Sequence, residues 1–229
     1  MFYLVKTPWW LKKLYRGLVW QIRGPRGSAE KVLYLSFDDG PHPVATPFVL
    51  GELKKYGAKA TFFCIGKNVQ EYPQIYRSIL MEGHRTGNHT QDHLNGWKVE
   101  DKLYLENIRD AARVIDSDLF RPPYGRIGVL QAHLLQSPPL DYKIIMWEVL
   151  SADFDRALTG ERCARNVIGS ARPGSIVVFH DSEKAFDRLR EALPKVLEHF
   201  SGLGYRFEAI YAGLAGEERF SAQNKIGPG

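Results

Sequence analysis

Cysteine is scarce: Cys64 and Cys163 are the only two in 229 residues, and no disulfide is expected. Cys64 lies in an apolar, β-like run, where a free thiol behaves as a small buried hydrophobe. A domain of this length builds its core without staples, so the shortage does not identify a compartment. Long apolar runs are missing too, and nothing approaches the ~18 residues that a membrane span requires. Lys6, Lys12, Lys13 and Arg16 break up the start of the chain, which has neither the apolar stretch nor the small-residue cleavage site of a signal peptide. The expected location is cytoplasmic, or peripheral on the inner membrane surface. Repeats and low-complexity tracts are absent, and no glycine-rich phosphate loop follows the first apolar run, which argues against a nucleotide-binding sheet.

Acidic residues are absent from the first 29 positions. Residues 1–31 carry Lys6, Lys12, Lys13, Arg16, Arg23, Arg26 and Lys31 against Glu30 alone, a local charge of +6 within a total of +5. The remaining chain is therefore close to neutral, with no basic stripe to recruit nucleic acid. Interleaved with those cations are Trp9, Trp10, Leu11, Leu14, Leu18, Val19 and Ile22, close to helical spacing. Residues 1–30 thus read as a basic amphipathic arm. It either touches an anionic membrane surface through residues 1–23 or packs its apolar stripe on the fold.

The composition from there on, 44% hydrophobic and 25% charged for the whole chain, is that of a packed globular domain. Short β-rich runs alternate with helical patterns from residue 31 to about 215, and the polar, glycine-rich stretch 216–229 reads as a poorly ordered tail. Candidate strands are Val32–Phe37, Ala60–Ile65, His84–Gly87, Leu119–Arg121, Tyr142–Trp147, Ser175–Phe179 and Tyr205–Ile210. Helical patterns cover Thr46–Tyr56, Pro73–Glu82, Glu100–Asp116, Glu161–Ala171 and Phe186–Phe200. This order predicts a single α/β domain, a distorted (β/α) barrel of about seven parallel strands, with an open doubly wound sheet as the alternative.

Polar residues gather just past the ends of those strands. Asp38 and Asp39 follow the first apolar run, and adjacent side chains at a strand end diverge, so one carboxylate can face a metal and the other the water beside it. Asp-Gly-Pro alone would be an ordinary turn. His89 and His93 stand at i and i+4, which on a helical turn puts both imidazoles on one face to share a metal. Phe120-Arg121-Pro122-Pro123-Tyr124-Gly125 is a rigid loop, suited to aiming a guanidinium or a backbone N–H at one point. Asp153 and His180 each follow a strand, and a carboxylate beside an imidazole fixes its tautomer and raises its pKa, as a general acid needs.

Taken in order, Ser36-Phe37-Asp38-Asp39-Gly40, His89-Thr90-Gln91-Asp92-His93, Arg121-Pro122-Pro123-Tyr124, Leu150-Ser151-Ala152-Asp153-Phe154 and Val178-Phe179-His180 resemble the motifs of the NodB-homology polysaccharide deacetylases, carbohydrate esterase family 4. The resemblance spans roughly residues 31–210. It implies Asp38 as general base and Asp39, His89 and His93 as ligands of a divalent metal, usually zinc. It implies that Arg121 holds the base, that the Tyr124 backbone N–H stabilises the oxyanion, and that Asp153 tunes His180 as general acid. Phe154 and Val178 would line the acyl pocket, with Pro123 beside them in the substrate-binding loop. The sequence departs from the family pattern at Leu150, where many members have Asp, at Phe154, where they have Trp, and at Val178, where Leu is more frequent. These changes bear on the shape of the groove and leave base, ligands and acid intact.

The expected activity is hydrolysis of N-acetyl groups on amino sugars of a glycan or shorter saccharide. A related metal-dependent amidohydrolase of a small non-sugar amide is the alternative, and a catalytically inactive glycan-binding module is the third reading. Such a module should have lost a ligand, base or acid, and this chain has all of them.

Overall fold

A computed structural model of the chain describes residues 3–22, 30–211 and 213. The tail expected over 216–229 lies outside the described residues, as do Arg23 and Arg26 of the arm. The described elements run α1 (Trp9–Leu14), β1 (Val32–Asp38), α2 (Ala45–Lys55), β2 (Thr61–Cys64), α3 (Gly66–Glu71), α4 (Pro73–Met81), β3 (Arg85–Asn88), α5 (Asp101–Ala112), β4 (Leu119–Phe120), α6 (Val129–Leu135), β5 (Lys143–Ile144), β6 (Val149–Leu150), α7 (Gly160–Ile168), β7 (Ile176–His180), α8 (Phe186–Gly202) and β8 (Arg206–Phe207).

β1 is buried along its whole length, as a near-continuous apolar run must be when both faces of a parallel sheet are covered. The sheet order is β5-β4-β3-β2-β1-β7-β6 with every pairing parallel, and β8 adds to the first residues of β1 through Val32 and Leu33. It curls into the distorted (β/α) barrel that the alternation of elements predicts. Leu33, Leu35 and Phe37 point outward to Leu53, Leu193, Val196 and Leu197 of the surrounding helices. Alternate positions face in, where Val32, Tyr34, Phe63, Leu119, Ile145, Ile176 and Ile210 pack together.

The short helices α3 and α6 lie where no helical pattern was expected, and two further parts of the chain depart from expectation. The apolar run Tyr142–Trp147, read as one strand, pairs with β4 only over Lys143–Ile144; a second strand, β6, follows and pairs with β7 at the far end of the sheet. The run thus pairs in the sheet over two residues only, and Val149–Leu150, past Glu148, makes a separate strand at the other end of the sheet. In the arm the helix stops at Leu14, and Val19 and Gln21 form isolated bridges with Ile145 and Ser175.

The arm packs on the fold, one of its two expected behaviours. It lies in the seam between β5 and β6. Val19 exchanges main-chain hydrogen bonds with Ile144 and Met146 beside β5, while Val5 and Thr7 bond Leu150 and Glu148 beside β6. Thr7, Leu18, Trp20, Gln21 and Ile22 are buried there. Lys12 Nζ reaches the buried Glu148 Oε1 at 2.7 Å, and Arg172 reaches the same oxygen at 2.6 Å.

Candidate active site

Parallel strands with a common direction deliver their C-terminal ends to one face. Asp38 and His180 are register partners across β1 and β7, and Asn88 and Phe120 pair across β3 and β4, so His89 and Arg121 emerge side by side. Six non-glycine residues described here adopt positive φ, and five of them, Asp39, Thr90, His93, Tyr124 and Ala152, lie in the loops at this face. Strained backbone gathered at one place marks a site whose side-chain directions matter.

The histidine pair sits on an irregular loop, which corrects the helical turn that its spacing suggested. The loop finds its partners elsewhere. Asn107 on α5 accepts from the backbone of Gln91 and Asp92, and its amide donates to Asp92 Oδ2 at 2.6 Å. Asn88 Oδ1 accepts from the Thr90 N–H. With these side chains substituting for i−4 carbonyls, Thr90 and His93 take left-handed conformations and the two imidazoles converge, 5.1 Å apart.

Asp39, His89 and His93 each offer a ligand atom, and the three atoms lie within 4.8 Å of one another. His93 Nε2 is 3.1 Å and His89 Nε2 3.7 Å from Asp39 Oδ1. The other ring nitrogens are engaged, His89 Nδ1 by the Arg121 carbonyl at 2.7 Å and His93 Nδ1 by the Tyr124 hydroxyl at 3.1 Å. Such outer partners fix which nitrogen faces a metal. Burial pushes His89 down to about 4, so it is a neutral donor at physiological pH. Burial alone would raise Asp39, but the imidazole nitrogens close around it, those of His93 first and then of His180 and His89, outweigh that and hold it below the ordinary carboxylate range. Asp39 Oδ1 is buried without a hydrogen-bond donor. An orphaned carboxylate oxygen facing two imidazole nitrogens is a donor set that a divalent cation fits.

Asp38 stands outside that set. Its Oδ1 accepts from Arg121 Nη1 at 2.6 Å, and Arg121 is fully buried. The guanidinium also donates to the Ser36 hydroxyl and to the carbonyls of Ile145 and Met146, and it stacks 4.0 Å over the Phe63 ring. On the other flank Asp153 grips His180 twice, accepting from its backbone N–H at 2.8 Å and pairing with Nδ1 at 2.7 Å. Burial would lower the imidazole, but Asp153, followed by Asp39 and Asp38, pushes His180 up to about 9.

Tyr124 occupies a tight turn, Pro123–Gly125, with Pro123 buried beneath it. Gly125 has φ 66°, and a Cβ there would lie 2.6 Å from the Trp147 ring, so glycine is required for this turn to rest on that ring. The phenol ring of Tyr124 lies 4.6 Å from His93. That contact had no sequence signal; only the Tyr124 backbone N–H was expected to matter. Val178 lies two residues before His180 on β7 and so shares its face, while Phe154 packs edge-on against His180 at 5.4 Å. All eleven expected residues thus fall at one end of the barrel.

Sequence reasoning missed Asp181. Its buried carboxylate accepts from the Gly40 N–H at 3.1 Å and from the Thr46 hydroxyl, tying the loop after Asp39 to the strand end that carries His180. A Cβ on Gly40 would lie 2.1 Å from that carboxylate, so the close approach also requires glycine. Burial pushes Asp181 up to about 8. Its place directly after His180 was the only hint.

A family model described as polysaccharide deacetylase matches residues 25–141. The chain is 36% identical over 187 residues to the peptidoglycan-N-acetylglucosamine deacetylase of Bacillus cereus, covering 79% of this chain and 87% of that one. It is 36% identical over 159 residues to the chitooligosaccharide deacetylase of Azorhizobium caulinodans, covering 65% and 73%. The crystal structure of the Bc1960 peptidoglycan N-acetylglucosamine deacetylase in complex with 4-naphthalen-1-yl-N-oxidanyl-benzamide superposes with a TM-score of 0.78 at 30% identity, over 89% of this chain and 95% of that one.

Proposed function

Because the chain belongs to the polysaccharide deacetylase family, and so is a hydrolase of carbon–nitrogen bonds, we propose that it removes N-acetyl groups from amino sugars of a glycan by water activated at a zinc site. One observation carries the reading: the orphaned Asp39 Oδ1 faces His89 and His93 between a buried Asp38–Arg121 pair and a His180 gripped by the buried Asp153. The names of the relatives point to peptidoglycan and chitooligosaccharides as the substrate class.

An amide is a poor electrophile with a poor leaving group, so its hydrolysis needs an activated water, a charge sink for oxygen and a proton for nitrogen. A divalent ion held by Asp39, His89 and His93 supplies Lewis acidity for the first two. Asp38, oriented by Arg121, takes the proton of the attacking water. The Tyr124 backbone N–H donates to the acyl oxygen as negative charge develops there. His180, with Nδ1 committed to Asp153, gives its Nε2 proton to the amine nitrogen as the C–N bond breaks. Acetate and a free amino sugar are the products.

Purified, zinc-loaded protein is expected to release acetate from chitooligosaccharides or peptidoglycan fragments. Because His180 is raised to about 9 it is protonated below that pH, so the rate should hold through neutrality and fall as pH climbs past roughly 9. No acetate from any N-acetylated saccharide would overturn the reading.

For location, we propose that the outer face of the arm docks on an anionic lipid surface. Trp9, Trp10 and Leu14 are 75%, 53% and 70% exposed, and Lys6, Lys13 and Arg16 are exposed among them, with no acid in the first 29 residues. Interfacial tryptophan with basic neighbours suits the headgroup layer. The intact protein should sediment with phosphatidylserine vesicles and not with phosphatidylcholine vesicles. Trp9→Ser with Trp10→Ser should weaken this about tenfold at unchanged Tm, since both rings are solvent-exposed. Equal binding by both proteins would sink the proposal.

A further inference from the structure

We infer that Tyr3 of the N-terminal arm is a positioning residue of the active site, holding Phe154 edge-on against the His180 imidazole. The inference rests on the deacetylase reading for its kinetic consequence and on geometry alone for its structural one.

Tyr3 lies 152 positions from the segment it serves. Its hydroxyl donates to Asp155 Oδ2 at 2.7 Å, and its ring meets the Phe154 ring at 5.2 Å with an interplanar angle of 73°. Phe154 meets His180 at 5.4 Å and 75°, so the three rings form a continuous edge-to-face series. Such contacts fix ring orientation because the positive edge of one ring seeks the negative face of the next. The arm reaches this point through the bridge between Lys6 and Val149 and the bond from the Leu150 N–H to the Val5 carbonyl, immediately before the loop begins.

That loop carries three successive contacts. Asp153 holds His180 through both oxygens, Phe154 covers the ring, and Asp155 is tied to Tyr3. Ala152 enters it at φ 65°, a conformation that an alanine does not adopt without support. Arg188 and Asn166 brace the loop from one side through the Asp153 and Ser151 carbonyls, and Tyr3 braces it from the other, at the Phe154 ring and at Asp155. Loss of the tyrosine frees Phe154 to rotate away, admits water beside the imidazole and loosens the direction of its Nε2 proton.

The test uses the zinc-loaded full chain carrying Tyr3→Ala or Tyr3→Phe, with acetate release measured alongside the imidazole resonances of His180. Tyr3→Ala is expected to displace those resonances, through the lost ring current of Phe154, and to lower kcat about tenfold with KM little changed, the scale of a small misalignment. Tyr3→Phe keeps the ring against Phe154 and loses only the Asp155 bond, so it should lie closer to wild type than to Tyr3→Ala in both readouts. Tyr3→Leu replaces Tyr3→Ala should the latter not fold. Unmoved His180 resonances in Tyr3→Ala would overturn the inference, as would Tyr3→Phe and Tyr3→Ala being equally impaired with parallel losses of Tm. A wild-type protein that releases no acetate defeats the deacetylase reading alone, because the resonances still decide the role of Tyr3.

Discussion

Asp38→Asn is expected to cut kcat by about 10²–10⁴-fold, the range for removing a positioned general base, while the protein keeps its metal. His89→Ala should instead lose the metal and with it the activity. The contrast follows from adjacent residues that face different partners. Asp39 Oδ1 looks toward the two imidazoles, whereas Asp38 Oδ1 is held by Arg121 at 2.6 Å. An amide at position 38 preserves shape and still accepts from the guanidinium, but it cannot take a proton from water. Metal content by elemental analysis, measured beside acetate release, separates the two. Equal metal loss in both variants would mean that Asp38 is a ligand and that the base lies elsewhere.

Arg121→Met should destabilise the fold by about 3–5 kcal/mol, because it leaves a buried carboxylate without its partner. Arg121 is fully buried and Asp38 nearly so, and the guanidinium also satisfies Ser36 and the carbonyls of Ile145 and Met146. Those acceptors would be orphaned together, which raises the cost beyond that of one ion pair. The double variant Arg121→Met with Asp38→Asn removes the unpaired charge and should recover a large part of the loss while remaining inactive. Denaturant unfolding of the four proteins in the cycle gives the coupling directly. Additive effects of the two substitutions would contradict the pairing.

The sequence carried the site further than it carried the fold's details. Asp38, Asp39, His180 and Arg121 were legible because each follows an apolar run, and the end of a parallel strand is a place in space as well as in sequence. The i, i+4 histidines were legible for a reason that the structure replaces: their convergence comes from Asn88 and Asn107 acting on an irregular loop. Asp181 and Tyr3 were not legible, since their partners, Gly40 and Asp155, are set by tertiary contacts with no local pattern. The same holds for β6, a two-residue strand just past Glu148 whose partner is β7. In the arm, helical spacing held for a turn and a half, after which pairing with Ile144 and Met146 overrode it.

The seam filled by the arm has a consequence for solubility. β5 and β6 are the terminal strands of the sheet, and without residues 5–7 and 19 their outer rims would present the Ile144 and Glu148 carbonyls and the Met146 and Leu150 N–H groups unpaired. Such a rim is a template on which a strand from another molecule can add, and proteins commonly guard it with charge, brevity or a cover. Here both rims are guarded by one segment of the same chain. The arm therefore acts as an internal stopper against edge-to-edge polymerisation, and its basic outer face adds a charge that like molecules repel.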